Sequence, residues 1–230
     1  MAHYSQLQFF ESVRSFFPDR FTQSRVLEVG SLDINGSVRT LFDGCEYVGV
    51  DVDAGPGVDL IGQGQDLEFP SNEFDVTISG EVMEHNPFWV ETLANMFRMT
   101  CRGGLVIVSC ASKGRPEHGT DRTSNTDAPL IPWDYYKNLN IADLSSAFDF
   151  SLWFDDWLAV VNWDSYDIYF VALKKGADSR SLSQFRELKS VLYTKFRFGK
   201  NVSHYIKYLL FNFSSNSVEY FIRRCFAIFR

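Results

Sequence analysis

Short apolar runs alternate with polar stretches along most of the chain. Residues 25–29, 47–50, 58–61, 74–79 and 105–110 are short, β-branched and nearly continuous in apolar character. Strands buried on both faces of a parallel sheet have this pattern. Residues 3–17 predict an amphipathic helix ending at Pro18. Residues 37–42 and 87–101 predict two more. In the second, Trp89, Leu93, Met96 and Phe97 recur at helical spacing, and Gly103 and Gly104 read as its stop signal. Residues 113–136 are polar, with Gly, Pro, Thr and Asn, and predict a long loop, a segment type that often covers a binding site. A short helix at 141–148 precedes strands at 150–161 and 168–173, joined by a turn at 162–167, hence an antiparallel pair. Strands alternating with helices and closed by a hairpin predict an α/β three-layer sandwich.

The polar stretch 174–183 marks the expected boundary between a body, 1–179, and a C-terminal extension, 180–230. Helical patterns follow at 182–196, 202–213 and 218–229. Charge divides at the same place. Residues 1–179 hold 12 Lys and Arg against 27 Asp and Glu, whereas 180–230 hold 10 against 2. The extension carries Tyr205, Tyr208, Leu209 and Phe213 near helical spacing, then Phe221, Ile222, Phe226 and Phe229 among Arg223, Arg224 and Arg230. Two readings stay open: helices packed on the acidic body, or a basic aromatic surface (200–230) for an anionic membrane or a second copy.

The overall net charge of -7, with no basic patch on the acidic body 1–179, disfavours a nucleic-acid substrate. Four cysteines form no CxxC and no zinc spacing, so no metal site is expected and four reduced thiols are. The N-terminal pattern predicts no signal peptide and no apolar run reaches membrane length, so a cytoplasmic protein is expected, with peripheral attachment at the inner face of a membrane as the extension's contribution.

Candidate chemistry gathers at the ends of successive strands. In VLEVGSLDINGS (26–37) an apolar strand runs through Glu28 into a turn at Gly30, and the following helix start would offer free N–H groups to an anion. In YVGVDVDAGPGVD (47–59) the strand ends at Asp51, about 20 residues after the glycine turn, the spacing of a carboxylate that accepts both ribose hydroxyls of a nucleoside. The third strand leads into Gln63, Gly64, Gln65 and Asp66, the last read as a turn acid. The fourth leads into Gly80, Glu81, Glu84 and His85.

This ordered set resembles the class I S-adenosylmethionine-dependent methyltransferases, specifically in VLEVGSLDING, YVGVDVD, FDVTISGEVMEH and CRGGLVIVS. The resemblance is close over 25–112, looser over 140–174 and absent over 180–230. It implies a Rossmann-like, mostly parallel seven-stranded sheet with S-adenosylmethionine as cofactor. Cofactor contacts then fall to Glu28 (toward the methionine ammonium or its water), Gly30, Ser31, Leu32, Asp51, Val52, Gln63, Gly64, Gly80 and Glu81. Two departures stand out. Leu32 and Ile34 replace the second and third glycines of the family loop, and Gln63 replaces the acid that accepts from the adenine amino group; its amide oxygen can accept the same bond.

His85, beside Glu84, and His118, in the long loop, are the candidate catalytic residues, as substrate-side bases or orienters. A neighbouring carboxylate would raise the proton affinity of His85. Plain surface placement is the alternative for each. Trp133, Tyr135 and Tyr136 read as core anchors or a platform for a ring. The expected reaction is methyl transfer to a small-molecule or glycan-type acceptor, with the two histidines favouring oxygen. A non-catalytic module of the same fold is the alternative. A nicotinamide enzyme is disfavoured because G-x-G-x-x-G is missing at the first turn.

Overall fold

A computed structural model describes residues 4–197. Helix α1 (Tyr4–Phe16) leads into β1 (Arg25–Val29), β2 (Glu46–Asp51), β3 (Leu60–Ile61) and β4 (Phe74–Gly80). Then follow α2 (Trp89–Met99), β5 (Thr100–Ala111), α3 (Ile141–Ala147), β6 (Phe154–Asn162), β7 (Asp167–Lys174) and α4 (Ser179–Arg197). One seven-stranded sheet has the order β3-β2-β1-β4-β5-β7-β6. Strands β1 to β5 are parallel, and β7 runs antiparallel between β5 and β6. The expected Rossmann-like α/β sheet is therefore present. Chain order reverses between β1 and β4, which opens a crevice at the carboxyl ends of these strands.

Both sheet faces are buried, as the continuous apolar strands require. On one face α1 and α4 cover Val26, Ile78, Leu105, Ile107 and Tyr169. On the other, α2 and α3 cover Leu27, Val29, Val106, Val108 and Phe170. Much of the phenylalanine content is core. The Phe97 ring packs against Phe148, Phe154 and Phe170, and Phe9 stacks on Tyr169 at 4.6 Å between centroids.

Four sequence expectations need correction. After β1 there is no α-helix over 37–42, only a single 3-10 turn, Val38–Leu41, with Ser37 Oγ accepting the Arg39 N–H at 3.1 Å. Val38 and Thr40 are β-branched, and one turn is too short to offset helix nucleation. The third strand is only Leu60–Ile61. Gly103 and Gly104 do not stop a helix. They lie inside β5, where a Cβ on Gly104 would stand 2.7 Å from the Asp75 carbonyl oxygen. The strand expected from 150 starts at Phe154, after a 3-10 turn at Phe150–Leu152.

The packed body also runs past residue 179. In α4, Phe185, Leu188 and Leu192 are wholly buried, Phe196 stands edge-on to Tyr169 at 4.9 Å, and Gln184 Nε2 donates to the Phe16 carbonyl. The helices expected at 202–213 and 218–229 lie outside the described residues, as does any membrane or dimer contact through 200–230. No helix among the described residues is long and apolar enough to cross a membrane. Cys45, Cys101 and Cys110 are free thiols.

Candidate functional site

The turn after β1 is built around Gly30. Its φ of +84° lies in the left-handed region, and a Cβ there would stand 1.9 Å from Val82 Cγ2. Only glycine satisfies both constraints. The Gly30 and Ser31 N–H groups donate to the Val50 carbonyl at 2.8 and 3.1 Å, tying the turn to β2. Asp51, at the end of β2, completes the tie. Its Oδ2 accepts the Leu32 N–H at 2.9 Å, and its Oδ1 accepts the Val52 N–H at 2.8 Å. Burial raises the Asp51 pKa, and the two N–H donors partly offset that. A carboxylate has about four acceptor positions, so each oxygen keeps one for a ligand hydroxyl.

These elements edge a cleft of about 710 Å³, open mouth included. Gly30, Leu32, Asp51, Val52, Gln63, Gly64, Gly80, Glu81 and His85 line it, so the structure brings nine sequence-predicted residues together. Residues 127–131 and Trp133 form the facing wall, which is where the long loop was expected to lie.

Glu28 and Ser31 face elsewhere. They line a smaller hollow of about 290 Å³ that shares Gly30, Leu32 and Gly80 with the cleft. Glu28 accepts a 2.7 Å hydrogen bond from the Tyr47 hydroxyl, and burial pushes its pKa up to about 7. Ser31 Oγ tucks against Gly49, where a Cβ would come within 2.8 Å of it. Gln63 lines the cleft, but its Oε1 already accepts from Gln65 Nε2 at 2.6 Å, so the oxygen expected to meet adenine is engaged. Gly64 is a close-packing position as well as a lining one: a Cβ would meet Thr92 at 2.6 Å and Val29 at 2.8 Å.

The Glu28 carboxyl makes a testable contribution to stability. Its folded pKa lies above the unfolded value of 4.5, so the native state binds the extra proton between pH 4.5 and about 7. Stability must then fall as pH rises through that window, by up to ~3 kcal/mol from this group. Glu28→Gln keeps an acceptor for Tyr47 and cannot ionise. Urea midpoints measured from pH 5 to 8 should decline less steeply in the variant than in the wild type. Parallel profiles would contradict the assignment.

The segment after β4 carries the densest chemistry. Glu81 is a non-glycine residue at φ +58°, a costly conformation that concentrates at functional sites. Its buried Oε1 accepts from Ser109 Oγ at 3.1 Å, and Arg115 lies 3.9 Å from its carboxylate while pairing with Asp167 at 2.8 Å. Burial, then the Asp167 and Glu84 charges, hold the Glu81 pKa well above the usual carboxylate range. Glu84 is wholly buried, and its Oε1 accepts the Ala111 N–H at 3.1 Å; burial raises its pKa too.

His85 and His118, 33 positions apart in sequence, meet edge to face at 5.0 Å between centroids, and Tyr136 packs on both. Gly119, at φ +65°, lets the loop pass so close that a Cβ would stand 2.8 Å from His85 Cε1. The expectation that Glu84 raises the His85 pKa is overturned. Burial, then His118, lowers it to about 3, and burial lowers that of His118 as well. Both rings are neutral at neutral pH, and His85 has little affinity for a proton. Trp133 is not a core anchor. It lines the cleft, half-buried, and donates from Nε1 to the His85 carbonyl at 2.5 Å.

Sequence reasoning missed Asn86, Asp127, Leu130 and Ile131 as lining residues. Asn86 follows His85 directly and had a signal in that position. The others depend on the path of the loop, which no periodicity marks.

Residues 27–108 match a family model described as a methyltransferase domain. No curated protein matches the chain in sequence. Among solved structures, the chain is similar to phosphoethanolamine N-methyltransferase 2 of Haemonchus contortus, determined with phosphomonomethylethanolamine and S-adenosylhomocysteine. That match has 16% identity and a TM-score of 0.54, covering 73% of this chain and 52% of that one. A second structure of that protein, with S-adenosyl-L-methionine, matches at 15% identity and a TM-score of 0.53 over the same shares. The 1,6-didemethyltoxoflavin-N1-methyltransferase of Burkholderia thailandensis, with bound 1,6-didemethyltoxoflavin and S-adenosylhomocysteine, matches at 12% identity and a TM-score of 0.51, covering 75% of this chain and 80% of that one. The chain spans about half the length of the Haemonchus protein. The fold is that of the class I methyltransferases, and the matched residues run from within β1 through most of β5.

Proposed function

We propose that this chain, a methyltransferase domain on a class I fold, transfers a methyl group from S-adenosylmethionine to a polar small-molecule or glycan-type acceptor, at oxygen. The observation that carries the reading is the Asp51 carboxylate, fixed by two backbone N–H groups at the end of β2 and facing a cleft walled by the loop 113–136. In this reading the ribose hydroxyls donate to Asp51 beside Val52, and the adenine lies toward Gln63 and Gly64. The methionyl chain passes Gly30, Leu32 and Gly80 toward the hollow that contains Glu28 and Ser31. Glu81 borders the cofactor where the two spaces meet.

Bound there, S-adenosylmethionine supplies an electrophilic methyl group on its sulfonium. The acceptor oxygen forms the new bond to carbon as the sulfur–carbon bond breaks, the electron pair stays on sulfur, and the acceptor proton leaves to water. The chain contributes alignment and exclusion of water. His85 and His118 orient the acceptor as neutral imidazoles, a role suited to their low proton affinity. The oxygen assignment rests on these two imidazoles as hydrogen-bond partners for an acceptor hydroxyl; the two similar proteins described above carry N-methyltransferase names.

Incubating the chain with deuterated-methyl S-adenosylmethionine, sugar nucleotides and cell extracts, read by mass spectrometry, tests the activity. A labelled methyl ether is expected; a labelled amine would move the acceptor to nitrogen. With that acceptor in hand, His85→Ala and His118→Ala should each slow single-turnover methyl transfer roughly 10²-fold while retaining cofactor affinity. Near wild-type rates in both would remove them from the acceptor site. A non-catalytic role is favoured by one observation, the single 3-10 turn standing where a helix start would hold the methionine carboxylate. Failure of the folded chain to bind the cofactor would support it.

A further inference from the structure

We propose that Glu84, His85 and His118 bind a divalent first-row transition-metal ion, and that this ion holds the acceptor oxygen at the cleft wall. Each of the three residues offers one ligand atom, and these atoms lie within 4.8 Å of one another. Donors about 2.0–2.2 Å from an ion stand roughly 3.4 Å apart, so small rotations of the side chains close the site. Two imidazoles and a carboxylate suit manganese, iron, cobalt or zinc better than calcium or magnesium, which favour all-oxygen sets. Three protein ligands leave coordination positions open, as a site that handles substrate requires.

Packing alone does not account for the cluster. The rings of His85, His118 and Tyr136 make ordinary aromatic contacts. Those contacts give no partner to His85 Nδ1 or to Glu84 Oε2, which are buried without a hydrogen bond among the described residues. Glu84 is wholly buried and His85 is 2% exposed, so neither group can turn to water. Native proteins seldom leave such atoms orphaned, and a role in holding an ion is one recognised reason when they do.

Two of the three side chains are also held from behind, in the manner of metal ligands. Glu84 Oε1 accepts the Ala111 N–H. His118 Nδ1 lies 3.0 Å from the Pro116 carbonyl, to which it donates in the tautomer that leaves Nε2 free to ligate. The His85 carbonyl receives the Trp133 indole N–H. Gly119 removes the Cβ that would otherwise keep the loop, and His118 with it, off the His85 ring. Near the cluster lie the buried carboxyls of Glu81 and Asp167, with the Arg115 guanidinium 2.8 Å from Asp167 and 3.9 Å from Glu81.

Because His85 also lines the cleft, an ion held beside it would lie within reach of the proposed acceptor. This role rests on the methyltransferase reading. A hydroxyl bound to the ion loses its proton to water more readily. Its oxygen then forms the bond to the methyl carbon while the carbon–sulfur pair departs with sulfur. The ion is neither oxidised nor reduced.

The test uses the full-length chain after chelator treatment, titrated with Co²⁺ and followed by visible absorbance, with Zn²⁺ as competitor. One saturable equivalent of Co²⁺, displaced by Zn²⁺, is expected. His118→Ala, at a half-buried loop position, and Glu84→Gln should each weaken it roughly a hundredfold. A folded wild type with no saturable equivalent, or one that both variants leave unchanged, would overturn the site. Titration of the same samples with S-adenosylhomocysteine separates the two claims. Cofactor binding without metal binding sinks the ion alone. Metal binding without cofactor binding leaves the ion standing and sinks the methyltransferase reading.

Discussion

Asp51→Ala should lower affinity for S-adenosylmethionine at least about a hundredfold. Two hydroxyl-to-carboxylate hydrogen bonds would be lost, each contributing ~1.5–3 kcal/mol, and every 1.4 kcal/mol is about tenfold. The same change strips the Leu32 and Val52 N–H groups of their acceptor, which loosens the turn carrying Gly30. Asp51→Asn is therefore the sharper comparison. Its amide oxygen can still accept one backbone or ribose donor, so its affinity should fall between wild type and alanine. Calorimetric titration reads both, with circular dichroism confirming that the variants fold. A folded Asp51→Ala protein that binds like wild type would remove Asp51 from the site.

Gly30→Ala should damage stability and binding together. The left-handed backbone costs a residue with a Cβ about 1–2 kcal/mol, and the added methyl would drive into Val82. Overpacking of this kind costs about 1–3 kcal/mol. For a domain this size each kcal/mol moves the melting temperature by about 2–4 °C, so a fall of roughly 5–15 °C is expected. The double variant Gly30→Ala/Val82→Ala separates the two causes. It relieves the collision and leaves the backbone strain, so it should recover part of the loss and not all of it. An unchanged melting temperature in Gly30→Ala would show that the turn is not built as described.

How much of this was legible in the sequence depended on whether the signal was local. The runs ending at Val29, Asp51 and Gly80 are continuous and β-branched because both sheet faces are covered, so they read as parallel strands without a partner in view. Asp51 was legible for the same reason: its distance from Gly30 is fixed by the strand–crossover–strand unit. The segment 37–42 misled because a short mixed pattern scores as helix, while Val38 and Leu41 bury only one turn. Gly103 and Gly104 misled because a glycine pair signals a helix stop as readily as the close approach of β5 to Asp75 that the structure contains. Glu28 was legible as a strand-end acid, but its bond to Tyr47 comes from the pairing of β1 with β2. The meeting of His85 with His118 was out of reach, because loop 113–136 carries no periodicity to say where it folds back. The low proton affinity of His85 was hidden for a related reason: burial set it, and the neighbour in sequence, Glu84, did not.

The cleft at the ends of β1, β2 and β4 as a nucleoside-cofactor site is the central claim, and calorimetric titration of the wild-type chain with S-adenosylhomocysteine tests it most directly. Saturable binding of one equivalent, competed by S-adenosylmethionine and not by NAD, is the predicted result. A folded chain that takes up neither sulfur nucleoside would contradict the account.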